Sequence, residues 1–549
     1  MSIWNLDGLR RRIKATFRLW GLGATGIAPV LVPVPGGTID APERGDVVRR
    51  GPITVEGWLL FASGPATRIE VWLGDELLGR ARLGLSRPDL ADAAKQGAGA
   101  VAGFCLTADI TEWPGEDGDA TLRVVATGVA DEHLELEPLR VRVEPSPRPP
   151  VLAPHSPLPL EPESAGEPRR RVLVYAHQLE RGGAETFMVE LACSLVKRGL
   201  AEVTVLTAIN GPLKKRLEDA GVPVHASSPA PVDDLGSHLG RIDELTAWAQ
   251  GRGFELALVN TASPFAVPGA ELASRLGIPA VWFIHESFAL PVLWKDFEPE
   301  VRVLAEAALD EAALAVFEAE ATQRLHEHRI GSERCVTLPY ALDFDAIEGE
   351  RGAFSRAAAR EATGVAADAE IVLCVGTIEP RKAQVPLAQA FDLIADRHPA
   401  AQIVFLGGRE NPDTKLLEEW IDSLGRADRM RVVPVTADVN AWYGLSDLLV
   451  CASDIESLPR AVLEAMAWEL PVVATSVFGL PELVKEGETG WLCEPGDTRA
   501  LADALERALS TPKEDRIGMG RAARALVERN HALDSYVPEL MELLDGLER

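Results

Sequence analysis

The sequence predicts an α/β protein made of two Rossmann-like domains facing a cleft, preceded by a small β-sandwich. Three observations carry that expectation. From residue 170 onward, continuous apolar runs alternate with amphipathic stretches, the mark of parallel sheets covered by helices on both faces. This alternation runs through twice, and a chain of 549 residues is too long for a single core. Before it, residues 46–144 show period-two patterning broken by polar turns, which suits a sandwich of short strands.

Residues 1–40 stand apart as a basic segment. Arg10, Arg11, Arg12, Lys14 and Arg18 are set against Asp7 alone, and Trp4, Leu9, Ile13, Phe17 and Trp20 recur at near-helical spacing within residues 1–20. Such a segment is either a basic amphipathic helix lying on an anionic membrane surface or a plain surface helix at a frayed terminus. A signal peptide is disfavoured because Gly21 to Gly37 is too rich in proline and glycine for an apolar helical core. No run reaches the ~18 uninterrupted apolar residues of a spanning helix. The expected location is therefore cytoplasmic, with peripheral contact at the inner face of the membrane if residues 1–20 bind lipid.

The sandwich is expected over residues 41–144. Ile53, Val55 and Gly57 alternate with polar positions, as do Ile69, Val71 and Leu73, and Leu139, Val141 and Val143. Gly74-Asp75 and Gly118-Asp119 read as turns. Nothing in this region forms a catalytic constellation, so a binding or docking module is the expectation. Residues 145–169 follow as a linker, with nine prolines between Pro145 and Pro168 that favour an extended, semi-rigid chain.

The first Rossmann-like domain is placed at residues 170–360. Its strands are read at Arg171–Tyr175, Val203–Leu206, Leu256–Val259 and Ala280–Ile284, with a helix over Glu185–Lys197. The second, at 361–530, has strands at Ile371–Val375, Gln402–Leu406, Arg431–Val433, Leu448–Val450 and Pro471–Ala474. Residues 531–549 carry a helical pattern after the second series has closed and are expected to fold back over the first domain.

Bulk composition narrows the function. A formal charge of −28 argues against a nucleic-acid partner, because phosphate backbones require a basic face. The six cysteines, Cys105, Cys193, Cys335, Cys374, Cys451 and Cys493, show no CxxC pair and read as reduced core residues.

The most informative segment runs from Ile455 to Ala467, where Glu456 and Glu464 stand eight positions apart. An apolar strand, a polar break and an amphipathic stretch follow one another there. Pro459 is tolerated only in the first turn of the helix, so Glu456 lies in the loop at its mouth and Glu464 more than a turn inside, deeper. Two acceptor-only carboxylates flanking free helical N–H groups suit a ligand with hydroxyls at both ends and phosphate between. A nucleotide sugar fits that description; two ordinary surface carboxylates are the alternative.

Further phrases join this one: Leu463-Glu464-Ala465-Met466-Ala467, Pro471-Val472-Val473-Ala474, Gly479-Leu480-Pro481-Glu482 and Glu486-Gly487-Glu488-Thr489-Gly490. In their order and spacing, residues 170–549 resemble the family 4 glycosyltransferases, retaining enzymes of the GT-B fold. Gly57-Trp58 and Arg87-Pro88-Asp89-Leu90 resemble, more loosely, modules accompanying some bacterial members. The resemblance implies that Glu456, Ser457 and Leu458 hold donor-sugar hydroxyls and Glu464 the ribose. It places the backbone amides of Arg460 and Ala461 on the distal phosphates.

In Gly376-Thr377-Ile378-Glu379-Pro380-Arg381-Lys382, Lys382 matches the family lysine that neutralises the leaving diphosphate. Thr377 stands where many members carry arginine, and Arg381 is a partial substitute for that cation. Gly182 and Gly183, between the first strand and first helix, match a loop near the phosphate and acceptor; a turn before a helix favours glycine for other reasons too. Glu185 is either part of that loop's chemistry or a first-turn carboxylate satisfying the helix dipole. His285 matches a histidine that contacts the donor sugar, the alternative being a packed strand-end residue. The family's second histidine is replaced here by Asn260-Thr261.

The implied catalytic set is thus Lys382, Arg381, Glu456 and His285. The implied donor set is Gly182, Gly183, Thr377, Ser457, Leu458, Arg460, Ala461 and Glu464. The implied reaction moves a hexose from a nucleoside diphosphate sugar to a glycan or lipid-linked acceptor in polysaccharide biosynthesis. Neither metal nor cofactor beyond that co-substrate is expected. Asp343-Phe344-Asp345 resembles a metal-binding DxD, but its place at the domain junction makes chance the better account. A sugar-nucleotide epimerase of the same architecture and a non-catalytic nucleotide-sugar sensor are the competing readings.

Overall fold

The computed structural model describes residues 35–87, 90, 100–111, 113–145 and 170–547. The expected helix within residues 1–20 and the proline linker up to residue 169 lie outside the described residues.

Two parallel sheets form the body of the molecule. The first has seven strands in the order Val224–Ala226, Ala201–Ile209, Arg170–Gln178, Leu256–Asn260, Ala280–Ile284, Leu314–Phe317 and Cys335–Thr337. The second has six: Met430–Pro434, Ala401–Gly408, Glu370–Val375, Leu448–Cys451, Val472–Thr475 and Gly490–Cys493. Every pairing in both is parallel. Numbered along the chain within each sheet, both begin 3-2-1-4-5-6, so strand order reverses between strands 1 and 4 and opens a crevice at their carboxyl ends. Strands that are apolar on both faces, such as fully buried Leu256–Asn260 and Ala280–Ile284, can exist only inside such a double layer.

Three helices matter for the site. Helix α1, Gly183–Lys197, buries Phe187, Leu191 and Leu195 at helical spacing against the first sheet. Helix α2, Arg460–Ala467, follows the fourth strand of the second sheet. Helix α3, Leu533–Gly546, returns to the first domain and packs on α1, with Tyr536 edge-on to Phe187 at 5.2 Å between ring centroids. One apolar cluster runs through residues of both domains, from Val172 and Phe187 to Leu373, Val462 and Leu540, and backs the cleft.

The sandwich has two sheets. One orders Gly36–Ala41, Pro52–Phe61, Gly103–Asp109 and Arg82–Leu85; the other orders Val47–Arg49, Leu139–Glu144, Gly118–Thr127, Arg68–Leu73 and Glu76–Arg80. Ile53, Val55, Ile69, Val71, Leu73, Val141 and Val143 all point into its core, as their alternation requires. Gly74-Asp75 is the hairpin turn between Arg68–Leu73 and Glu76–Arg80, whereas Gly118-Asp119 opens a strand paired to Arg142 and Val143. Strand Gly36–Ala41 also belongs to the sandwich, although it falls in the segment that the sequence set apart as residues 1–40.

The sandwich is docked rather than held away by its linker. Thr498 N–H donates to Thr67 O at 2.9 Å, Arg80 pairs with Glu494 at 2.9 Å, and Arg68 approaches Asp497 at 3.4 Å. Trp58, Leu60, Leu90, Val101 and Ala102 are continuous with the apolar cluster of the second Rossmann domain. Strand Gly103–Asp109 also lies against Leu290–Leu293 of the first. All six cysteines are free thiols, and among the described residues no helix is long and apolar enough to cross a membrane.

Candidate functional site

The sequence-singled loops converge because each follows strand 1, 4 or 5 of its sheet. On the second domain, Glu370–Val375 leads into Gly376, whose φ of +147° suits glycine and brings the backbone beside the Lys382 side chain. The turn Pro380–Lys382 comes next, and Ala383 behind it is a buried alanine at φ +53°.

Lys382 Nζ contacts Glu456 Oε2 directly. The same oxygen accepts from Arg381 Nη1 at 3.4 Å and from Ser453 Oγ at 3.2 Å, and Arg381 also pairs with Glu379 at 2.8 Å. Burial opposes the charge on Glu456, but Lys382 and Arg381 outweigh it and hold the carboxyl below its ordinary range. Thr377 supplies no charge; its carbonyl accepts from Gln384 Nε2 at 3.0 Å.

Pro459 is the residue immediately before α2, one position earlier than the first turn assigned from sequence, and Glu456 is in the preceding loop as expected. The first amides of α2, at Arg460 and Ala461, have no intrahelical acceptor. Lys382, Ser453, Pro459 and Ala461 line a single small recess, so a side-chain cation and the amide end of a helix face the same space. A lysine and a helix N-terminus on one recess are together able to hold an anion.

Glu464 departs from the sequence reading. It is the more open of the two carboxylates, with 26% of its side chain exposed against 13% for Glu456. The reason is that Glu464 turns toward the interdomain gap, where it accepts from Tyr443 Oη at 3.0 Å and from Arg460 Nε at 2.7 Å. Arg460 was singled out for its backbone, yet its side chain spans the cleft, with two guanidinium nitrogens on the Glu190 carboxylate of α1 at 2.7 and 3.0 Å. Ser457 is buried, and its hydroxyl is engaged by Thr322 Oγ1 of the first domain at 2.6 Å. Leu458 is buried in the apolar cluster that backs the cleft, and the Ser457 carbonyl accepts from Gly479 N–H at 2.9 Å, so a ligand here would meet backbone N–H groups rather than these side chains.

On the first domain, the Gly182-Gly183 loop crosses close to this helix: a Cβ at Gly183 would lie 3.5 Å from Arg460 Cβ. Glu185 is buried, accepts from Gln178 Nε2 at 2.8 Å and lies 3.5 Å from His177. His285 ends Ala280–Ile284 with both ring nitrogens occupied. Nε2 meets Asn260 Oδ1 at 2.9 Å, and Nδ1 meets Glu318 Oε2 at 2.9 Å and Tyr340 Oη at 2.7 Å. Burial works against a charged ring, but Glu318 outweighs it and raises the His285 pKa. Thr261 beside it is a non-glycine residue at φ +74°, a strained conformation of the kind that clusters at functional sites.

Sequence reasoning missed Glu190, Glu318 and Tyr340, none of which carries a local signal. Among the described residues no group of three or more His, Cys, Asp or Glu is placed to hold a metal ion. Asp343 is a helix cap, accepting from Ala346 N–H at 3.0 Å, so the DxD phrase is accounted for structurally.

Comparison with known proteins identifies the family and the fold of the two Rossmann-like domains. Residues 181–346 match the family described as Glycosyltransferase Family 4, and residues 355–526 match Glycosyl transferases group 1. Both matches lie C-terminal to the sandwich. A D-inositol 3-phosphate glycosyltransferase of Kineococcus radiotolerans is 30% identical over 382 residues, covering 63% of this chain and 86% of that protein. Its Streptomyces scabiei namesake is 29% identical over 396 residues, covering 65% and 87%. Among solved structures, Anabaena HepE in complex with UDP-glucose superposes with a TM-score of 0.59 at 22% identity, over 68% of this chain and 99% of that one. A glycosyltransferase from Rickettsia africae gives 0.59 at 16% identity, over 69% and 99%.

Proposed function

The chain belongs to the family 4 glycosyltransferases of GT-B fold, and from that premise we propose that it moves a hexose from a nucleoside diphosphate sugar to a glycan or lipid-linked acceptor with retention of configuration. The observation that carries the donor half is the recess shared by Lys382 and the amide end of α2. Breaking the bond from anomeric carbon to diphosphate builds negative charge on the leaving oxygen. Fixed donors aimed at that charge are the main lever available to the protein.

In this reading Lys382, Arg381 and the amides of Arg460 and Ala461 neutralise the diphosphate. Glu464 accepts from the ribose hydroxyls. The backbones of Ser457 and Leu458, the Glu456 carboxylate and His285 engage the sugar, with Gly182 and Gly183 leaving room for the phosphate beside the acceptor and Thr377 lining the donor loop. Glu456 has a second task in the structure described, since it aims both cations at one point. No residue is assigned as a catalytic base, because the acceptor is proposed to attack on the face from which the diphosphate departs.

The test is incubation with labelled UDP-glucose, UDP-N-acetylglucosamine, ADP-glucose and GDP-mannose, with glycan, lipid-linked and D-inositol 3-phosphate acceptors. The last acceptor is included because the curated relatives are named for it. Acceptor-dependent release of nucleotide supports the proposal. Isomerised donor without transfer would identify an epimerase, and binding without turnover a sensor.

A further inference from the structure

The turn that carries Arg381 and Lys382 is not supported by its own domain alone. Strand Arg82–Leu85 of the sandwich packs directly on Pro380–Lys382 and on the helix Gln384–Ile394 that follows. Leu83, buried, lines one small cavity together with Ala383, Pro386, Ala452 and Asp454, so it faces the joint between that turn and the helix. Gly84, at φ +73°, fits so closely that a Cβ there would lie 2.7 Å from Val385 Cγ1 and 3.1 Å from Pro386 Cδ.

The joint itself needs such support. Ala383 holds φ +53°, which costs an alanine free energy and persists only where the surroundings impose it. Relaxation of this residue would rotate the preceding turn and swing Lys382 and Arg381 off the Glu456 carboxylate and the recess. The sandwich cannot drift away from the joint, because Thr67, Arg68 and Arg80 tie it to Glu494–Thr498 on the same domain and Trp58 and Leu60 share that domain's apolar cluster.

We propose that the β-sandwich is a working part of the donor site: its strand Arg82–Leu85 clamps the strained joint at Ala383, making Leu83 and Gly84 positioning residues for Lys382 and Arg381. This rests on the reading of Lys382 as a diphosphate-binding cation. It assigns to the sandwich a task distinct from the docking of an outside partner.

The test uses the full chain and inorganic pyrophosphate as the probe. Leu83→Ala should speed amide hydrogen exchange in peptides covering residues 379–384 and weaken pyrophosphate binding about tenfold by calorimetry, less than the roughly hundredfold cost of a full ångström's misplacement. Val141→Ala, which removes volume from the same sandwich core on the opposite sheet, should do neither. Gly84→Ala, which sets a Cβ against Val385 and Pro386 at a φ of +73°, should reproduce the binding loss.

Unchanged exchange at 379–384 in Leu83→Ala would overturn the proposal, as would equal effects from Val141→Ala or full pyrophosphate affinity in Gly84→Ala. Faster exchange with unchanged pyrophosphate affinity would overturn the link to the site. Lys382→Ala separates the two layers: if it leaves pyrophosphate binding intact, the donor-site reading itself falls, and if it weakens binding while the sandwich variants do not, only the positioning role falls.

Discussion

Replacing Lys382 by alanine perturbs two things at once, and the structure lets them be separated. Its ammonium faces the recess at the mouth of α2 and is also the nearest cation to Glu456. Loss of one fixed donor to developing charge costs about 2.7–4 kcal/mol at comparable sites. Arg381 remains 3.4 Å from the same carboxylate, so we take the lower end, about 2.7 kcal/mol, which is about a hundredfold loss in kcat/KM. Breaking a fully buried pair costs about 3–5 kcal/mol. Here the partners keep 16% and 13% of their side-chain surface, and Arg381 and Ser453 still reach Glu456, so about 2 kcal/mol is the expectation. That corresponds to a fall in Tm of about 4–8 °C for a domain of this size. Glu456→Gln in the Lys382→Ala background removes the stranded charge and should return most of the Tm while leaving kcat/KM low. The assay is steady-state kinetics at limiting donor alongside calorimetric melting. A Lys382→Ala enzyme within about threefold of wild-type kcat/KM would show that Lys382 does not carry the leaving charge.

Glu464→Ala should raise donor KM about tenfold, the scale of one lost charge-assisted hydrogen bond, and an unchanged KM would show that the ribose is held elsewhere. Glu190→Gln weakens the bidentate bridge to Arg460, so small-angle scattering should report a larger radius of gyration; an unchanged value would mean that this pair does not hold the two domains together. Asp454 behind the site is pushed up to about 7 by burial, with the Gly496 amide and Arg82 only partly offsetting it. A carboxyl raised in the folded state adds stability in acid and loses it as pH climbs from about 4 to about 7. Asp454→Asn keeps the acceptor for Gly496, so the variant should melt above wild type at pH 8 and lose that advantage at pH 4; parallel curves at both would contradict the assignment.

Much of this architecture was legible because burial on both faces forces a strand to be apolar throughout. Arg171–Tyr175, Ala280–Ile284 and Ile371–Val375 could hardly be anything else. The strands Leu314–Phe317, Cys335–Thr337 and Gly490–Cys493 escaped notice because a run of three or four residues is recognisable only when polar turn residues bracket it, as Ser446-Asp447 and Ser453-Asp454 bracket Leu448–Cys451. Glu456, Lys382 and the start of α2 were readable because proline, glycine and charge cluster within short stretches. Glu464 was placed too deep because position along a helix fixes distance from its mouth but not the direction the side chain faces. The Glu190–Arg460 bridge joins residues 270 positions apart. Glu318 and Tyr340 reach His285 across separate strands and loops. Contacts of that kind exist only once the sheets have formed. The docking of the sandwich was equally hidden, since a proline-rich linker describes how far a domain can reach and not where its surface fits.

Whether the interdomain cleft cradles a sugar esterified to diphosphate is decided by a crystal structure with a bound nucleotide sugar. The diphosphate should lie within hydrogen-bonding distance of Lys382 Nζ and the Ala461 amide, with the ribose against Glu464. Density for the nucleotide at any other place, or a diphosphate that leaves Lys382 paired only with Glu456, would contradict it.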